Sequence, residues 1–494
     1  MRTMKKNNLI EIVTNPYLIL VILSIIFVFN SLNPVVSYDE NLWSYMGNLW
    51  AKHGIPPYTG AVENKTPAIF FLYATANFLT VESIFVIRIL GVFATLLSAF
   101  ILYCICEKLH SKRAGIFCML IFGLSMSWRL VDGSYFAHTE VFMVLFSVLA
   151  FYFIIKAKSS SKMKYDLFFA GISIGIAISF KQIAVTTLVA VVLFFLVFSA
   201  NHLSIKKKIL GISLFFLGVT LSISLSILIL FIYGVSFLDY IEGAWLILFN
   251  SGSKVSSFEI QIAHFFDKLI GSRFVFFYFF VFLFFYQKKL VNKPLFYGIL
   301  LWFVFDFIGV NASGYYYGHQ IKQVIPSLSL MGGMVMGNLM APHFYLKRKN
   351  LNPLWYFIML TFLFFPYKQC YRTLNLLLNP PDSFSKNMGY WVKEHTFKND
   401  YIYILGDDDK LISALAASSR VSSSNYFNLI FIKEDKHRHK VYSDLMNNTP
   451  KIILKIENDS LQIKEAYGEK VDEFFKSNYT LFTVKEGFEV YKYH

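Results

Sequence analysis

Long apolar runs, unbroken by charge, constrain this chain more than any other feature. Stretches such as "ILVILSIIFVFN", "LSISLSILILFIY" and "FVFFYFFVFLFFY" are hydrophobic on every side rather than along one stripe. A helix in water needs one polar face; a helix in lipid needs none, provided its backbone groups are bonded internally. Across 494 residues only 16% are charged and 56% are hydrophobic, against about 25% charged in soluble domains. Fifty-four Phe and thirty Tyr suit the aromatic belts at membrane surfaces. The chain reads as a polytopic α-helical membrane protein.

A net charge of +15 could suggest nucleic acid, but its distribution argues against that partner. The excess sits in short clusters between apolar runs: Lys5-Lys6, Lys112-Arg113, Lys162 with Lys164, Lys206-Lys207-Lys208, Lys288-Lys289 and Lys347-Arg348-Lys349. Cytoplasmic loops carry such an excess. A span needs roughly 20 apolar residues, fewer with tilt or thinning, and on that ruler we read about eleven. They cover 17–36, 83–105, 113–130, 138–156, 166–180, 183–200, 209–233, 273–287, 294–310, 320–341 and 353–368. With a cytoplasmic N-terminus, every basic cluster falls inside. The pair of short spans meeting at Lys181-Gln182 decides this; one long helix there would flip every later cluster outward. The first run lacks a small-residue cleavage site and reads as a retained span.

Three segments then face outward. The loop 37–82 holds Tyr38-Asp39-Glu40, a Gly54–Tyr58 turn and an apolar run at 67–79, too short to span and read as an interfacial or re-entrant helix. The loop 234–272 is polar and aromatic, with an amphipathic helix expected near 258–270. From about 369 the chain turns charged and alternating. "YIYIL", "KIILKI" and the stretch 480–493 read as strands, with helices near 384–397 and 408–417. The organisation is thus a membrane domain, 1–368, followed by an extracytoplasmic α/β domain, 369–494. Cys104, Cys106 and Cys118 lie in or beside apolar runs and Cys370 stands alone, so no disulfide framework or zinc spacing is visible.

Several residues could carry chemistry at the outer surface. Asp39 and Glu40 follow the first span directly; adjacent carboxylates there can bind a cation, act as a general base, or sit solvated in a loop. Lys65 stands two residues before Pro67, which can open a helix whose N-terminus favours phosphate, though a loop lysine beside a helix-starting proline needs no ligand. Arg88, early in the second span, and Glu140, early in the fourth, are costly in lipid and face protein or a wet cavity, or snorkel to the surface. Asp306 lies deeper and reads as a structural pair with a neighbouring helix. His319 and Lys322, near one turn apart, can clamp a phosphate, or be merely interfacial. Asp407-Asp408-Asp409 follow a strand and Gly406, and read as a helix N-terminus.

The ordered set "YDENLWSYMGNLWAKHGIPPYTGAVENKTPAIFFLY" then "IRILGVFATLLSA" resembles the N-terminal half of GT-C glycosyltransferases, in the branch of protein O-mannosyltransferases and aminoarabinose transferases acting on lipid A. The shared features are an acidic pair after the first span, a Gly-x-Pro-Tyr turn, a Lys-Pro-Pro-like element and an Arg opening the next helix. Here the turn is Gly54-Ile55-Pro56-Pro57-Tyr58, slightly displaced, and Lys65-Thr66-Pro67 has lost one Pro. "HTEVF" resembles the family's second acidic position, at Glu140, and "GHQIKQVIPSLSLMGG" its late basic helix, at His319. The tail resembles that of bacterial members. What the resemblance implies is transfer of a sugar, with inversion, from a polyprenyl-phosphate donor to a hydroxyl on a lipid, glycan or protein at the outer membrane face. Asp39 would be the base, with Glu40 and Glu140 orienting the acceptor or steadying charge on the sugar. Lys65, Arg88, His319 and Lys322 would meet the donor phosphate. No cofactor is implied, and members differ on a divalent metal, for which no dedicated site is visible here. The competing class is a lipid-linked glycan flippase, which calls for charges at the midplane and for repeat symmetry; this sequence has its candidates at outer ends and shows no repeats.

Overall fold

In a computed structural model of the protein, the described residues are 15–79, 83–127, 135–200, 203–247, 275–288, 291–312, 317–339 and 352–494. They divide into two compact units. One comprises 1–34, 88–225 and 255–379; the other comprises 35–87, 226–254 and 380–494.

The first unit is helical. Ile84–Leu109, Thr139–Ala157, Met163–Phe180, Ile205–Ile232 and Lys293–Asn311 have the length and apolarity to cross a membrane, so the chain is an integral membrane protein. The other expected spans are shorter helices here, such as Pro16–Ser31, Lys112–Met126 and Ile325–Leu339, or include residues outside the described set. The full count of eleven is therefore not reached among the described residues. The last one differs in the other sense: the helix Asn352–Leu378 runs ten residues past the expected end at 368, because nothing after Pro366 breaks it until Pro380. The helix expected near 258–270 and the clusters Lys5-Lys6 and Lys347-Arg348-Lys349 lie outside the described residues.

Packing in this unit is close where side chains vanish. Gly171 and Gly175 share one face of Met163–Phe180, and a methyl group on Gly175 would sit 2.8 Å from the Val219 carbonyl oxygen of the helix Ile205–Ile232. Small residues four apart let two backbones meet, which is how helices associate where lipid removes the hydrophobic drive. The helix Met163–Phe180 then ends, and Ala184–Phe194 begins after an extended Lys181. Two helices, not one, therefore flank Lys181.

The second unit gathers three separate stretches of sequence. Its centre is a five-stranded sheet in the order β2-β1-β3-β5-β4, from β1 (Tyr401–Leu405), β2 (Val421–Ser422), β3 (Ile452–Ile456), β4 (Tyr479–Lys485) and β5 (Phe488–Tyr493). β1 runs parallel to β2 and β3, while β5 pairs antiparallel with β3 and β4. The β4–β5 turn is Glu486-Gly487, both left-handed (φ 55° and 76°), the backbone a two-residue hairpin requires. The expected strands and the helices Phe384–Glu394 and Asp409–Ser418 are all present.

The loop after the first span belongs to this same unit. Its helix Tyr38–Asn48 carries Tyr45, buried, whose hydroxyl accepts the Ser422 N–H of β2 at 2.8 Å. The Val62 N–H donates to the Asn425 carbonyl at 3.0 Å. The short apolar run forms the helix Ala68–Leu79, directly after Pro67, and packs against the first so closely that a methyl on Gly47 would meet the Tyr73 backbone at 2.6 Å.

Candidate active site

The acidic pair opens the helix Tyr38–Asn48, whose N-cap is Ser37. The Glu40 N–H donates to Ser37 Oγ at 3.2 Å, and the Ser37 N–H donates back to Glu40 Oε2 at 3.3 Å. This reciprocal box satisfies two backbone donors that a helix start leaves orphaned, and it occupies a Glu40 side chain that is fully buried. Asp39, one residue earlier, is only partly buried. The sequence "SYDE" encodes the first fate: the residue three after a serine cap turns back onto it.

Acidic groups from the tail gather around that start. Asp408 caps the helix Asp409–Ser418 by accepting the Lys410 N–H at 2.7 Å, as expected for a helix N-terminus. Asp409 has its carboxyl pKa raised first by desolvation, then by Asp408 and Asp39. Asp407 is raised by burial and by Asp409 and Asp408. The Tyr38 hydroxyl, buried without a hydrogen-bond partner in the structure, is raised by burial and by Asp407, Glu63 and Asp39. Each shift has the same physical cause: a negative charge costs more where solvent is thin and other carboxylates are near. Sequence reading did not bring the tail aspartates to Asp39, since more than 360 residues separate them.

Lys65 sits on the same unit. Its Nζ donates to Asn64 Oδ1 at 2.6 Å and pairs with Glu63 Oε1 at 3.1 Å, above the Trp43 ring. Glu63, nearly buried, also accepts the Asn64 N–H at 2.8 Å. The Lys65 carbonyl accepts the Tyr58 hydroxyl at 2.6 Å, so the Gly54–Tyr58 turn holds the lysine's backbone.

In the first unit the remaining candidates separate into two places. Arg88, 4% exposed, donates from Nη1 to the Asn33 carbonyl at 2.6 Å and stands over the Tyr135 and Phe136 rings. A cation on the carbonyls just past the helix Pro16–Ser31 meets the negative end of its dipole, so part of this guanidinium is committed to structure. Elsewhere in the unit, Glu140, Lys181, His138, His319 and Lys322 form a cluster. Glu140 is 2% exposed; its carboxylate is ion-paired with Lys181 and lies 3.6 Å from His319 Nε2. His319 stacks on Tyr317 and meets His138 edge-on at 4.9 Å. Lys322 is fully buried and, with Lys181 and Glu140, lies within electrostatic reach of His138. Two lysines and one carboxylate thus lie around His138, a balance suited to an anion. Lys181 was visible in sequence only as a turn residue.

A polar latch sets the turn that carries His319 and Lys322. The turn is a 3-10 segment, Gly318–Gln323. Its last residue, Gln323, donates to Thr187 at 3.1 Å and Thr186 at 3.0 Å, and reaches Asp306 Oδ1 at 3.4 Å. Asp306 is 1% exposed and accepts the Thr187 hydroxyl at 2.6 Å. Its structural reading therefore holds. Gly309 makes room: a methyl there would sit 2.5 Å from Thr186 Oγ1 and 2.8 Å from Gln323 Nε2. Among the described residues, no three His, Cys, Asp or Glu side chains gather at metal-binding spacing.

These helices and this sheet, in this order, share their fold with solved structures of ArnT and of an oligosaccharyltransferase. The sequence model of the family described as dolichyl-phosphate-mannose-protein mannosyltransferase matches residues 64–228. Among solved structures, ArnT from Cupriavidus metallidurans bound to undecaprenyl phosphate matches with a TM-score of 0.66 at 11% identity, over 96% of this chain and 97% of that one. The oligosaccharyltransferase of Archaeoglobus fulgidus in the apo form matches with a TM-score of 0.57 at 13% identity, over 89% of this chain and 69% of that one. Another structure of the latter, AglB, is a complex with an inhibitory peptide and a dolichol-phosphate. No curated protein sequence matches the chain. At these identities the likeness is one of fold.

Proposed function

We propose that the protein is an inverting glycosyltransferase that moves a sugar from a polyprenyl-phosphate donor to an acceptor hydroxyl at the outer face of the membrane, its N-terminus cytoplasmic and its sheet unit outside. The observation that carries the reading is the fold it shares, end to end, with ArnT bound to undecaprenyl phosphate. The side-chain geometry described above supports the assignment of roles.

In such a reaction the acceptor oxygen forms a bond to the anomeric carbon as the bond from that carbon to the phosphate oxygen breaks. The electron pair leaves on the phosphate, and the hydroxyl proton must go to a base. Of the candidate acids, Glu40 takes part in a helix cap and Glu140 in an ion pair. Asp39, partly exposed in the first turn of the helix Tyr38–Asn48, is assigned the base. General-base help of this kind contributes about 10²–10⁴-fold. Negative charge growing on the leaving phosphate calls for preorganised cations. His319 and Lys181, which flank the Glu140 carboxylate, and Lys322, near His138, are assigned to it first. Lys65 and Arg88 are assigned next, since each is partly engaged by Glu63 or by backbone carbonyls. Glu140 becomes a positioning residue: it holds Lys181 and His319 in place.

The test is turnover. Protein in liposomes, given a panel of undecaprenyl- and dolichyl-phosphate sugars with extracts of cell-envelope lipids, glycans and proteins, is expected to release polyprenyl phosphate and label one acceptor class. Movement of lipid-linked sugar across the bilayer without consumption would replace this reading by a flippase.

A further inference from the structure

Four polar side chains of the first unit have no part in the chemistry assigned above. Asn30 stands in the last turn of the helix Pro16–Ser31 and Asn33 just past its end, while Gln369 and Thr373 stand one turn apart on the helix Asn352–Leu378. All four are at most 2% exposed. Burying a polar group costs free energy unless it finds a partner, and here the partners are one another. The Thr373 hydroxyl donates to Asn30 Oδ1 at 3.2 Å and accepts from Asn33 Nδ2 at 3.2 Å. Gln369 Nε2 reaches the same oxygen from the preceding turn at 3.5 Å. A hydroxyl has one proton to give and two lone pairs to fill, so Thr373 is saturated.

The network runs on to a residue that does carry an assignment. In a continuing helix the Asn33 carbonyl would accept the Ser37 N–H, but that N–H goes to Glu40 Oε2. The Asn33 carbonyl instead accepts Arg88 Nη1 at 2.6 Å, with the Ser31 carbonyl 3.4 Å from the same nitrogen. Thr373 thus holds the side chain of Asn33, and the backbone of Asn33 holds Arg88. A guanidinium is a rigid planar fork, so fixing one nitrogen sets the direction of the others. The Thr373–Asn30 bond suffices to join the two helices; the branch through Asn33 ties that joint to the arginine. Polar contacts of this kind, closed in a low-dielectric interior, fix one geometry where apolar packing tolerates several.

We propose that Thr373 is a positioning residue for the sugar donor: through Asn33 it sets the direction in which Arg88 presents its charge to the polyprenyl phosphate. The role rests on the assignment of Arg88 to that phosphate, and the experiment separates the two. Binding of labelled undecaprenyl phosphate and of dolichyl phosphate is measured on the full-length protein in nanodiscs. Thr373→Val keeps the side-chain shape and removes all three bonds. Asn33→Ala cuts the link from the other side, leaves the backbone carbonyl in place, and serves where the first variant does not fold. Each is expected to weaken binding of the lipid that wild type takes by about fivefold, the worth of one hydrogen bond, and Thr373→Ser to restore it within about twofold. In an Arg88→Ala background Thr373→Val should weaken binding no further, because its effect passes through the arginine. A joint that served stability alone would lower the melting temperature and leave affinity unchanged, or would weaken binding by the same factor with and without Arg88; either result overturns the proposal. Wild-type protein that binds neither lipid overturns the donor reading and this role with it. Wild-type binding that both variants leave untouched overturns this role alone.

Discussion

Removing one member of the Glu140–Lys181 pair should be about as damaging as removing both. The Glu140 side chain is 2% exposed and that of Lys181 is 13% exposed, so neither charge can recover much hydration when its partner goes. Breaking a buried pair by deleting one side costs about 3–5 kcal/mol, whereas replacing the whole pair by uncharged groups of similar volume is often close to neutral. His319, 3.6 Å from the same carboxylate, retains part of the compensation in Lys181→Met. We therefore expect about 3 kcal/mol lost in that variant and about 4 kcal/mol in Glu140→Gln, which strands both cations. The double variant should lose about 3–4 kcal/mol rather than the 7 that additivity gives, a coupling of roughly 3 kcal/mol at the upper end of known cycles. Reversible unfolding in mixed micelles, followed by tryptophan fluorescence, measures all four proteins. Losses that add to within about 0.5 kcal/mol, the scatter of independent sites, would refute the ion pair as a coupled unit and with it the positioning role of Glu140.

Three further outcomes follow from other contacts. Gly309→Ala puts a methyl against Thr186 and Gln323, and should cost about 1–3 kcal/mol as overpacking does; in transfer assays it should raise the donor KM more than it lowers kcat, because the turn bearing His319 and Lys322 shifts. Tyr45→Phe removes the acceptor for the Ser422 N–H and should destabilise the sheet unit by about 1–3 kcal/mol, read as faster hydrogen exchange along β2 and the helix Tyr38–Asn48. Asp407 and Asp409 have raised carboxyl pKa values from burial and mutual repulsion. The fold therefore binds their protons more tightly than the unfolded chain does, and the stability they contribute at low pH is lost as pH rises through the ordinary carboxylate range into the raised one. Asp407→Asn/Asp409→Asn should accordingly stabilise the protein at pH 7 and lose that advantage at pH 3, by well under the roughly 1.4 kcal/mol per pKa unit because both residues are exposed. Melting curves at the two pH values check the sign.

Much of this architecture is written locally and was legible for that reason. Apolar runs give helices, alternation in "YIYIL" and "KIILKI" gives strands, and Pro67 starts the helix Ala68–Leu79 just where its ring is tolerated. Lys181 broke two helices as its polar neighbours suggested. What could not be read is what depends on distant pairing. Nothing local marks Tyr45, and only β2, nearly 380 residues later, makes it a hydrogen-bond acceptor. Glu40 and Asp39 are equivalent in a list of acids, but helix geometry sends one back to Ser37. The polar Gln323 carried no signal until Asp306 and Thr187 stood beside it. The span count fell short for a related reason: hydropathy marks where a chain can enter lipid, while helix ends are set by caps and by packing against neighbours.

The central claim is that Asp39 takes the acceptor's proton during transfer from a polyprenyl-phosphate sugar. It is tested most directly by single-turnover transfer with Asp39→Asn and Asp39→Glu beside a filter-binding measurement of donor affinity. The account predicts a fall of about 10²–10⁴-fold in the transfer rate of Asp39→Asn, partial recovery in Asp39→Glu, and donor affinity unchanged within twofold in both. Transfer by Asp39→Asn at the wild-type rate would contradict it.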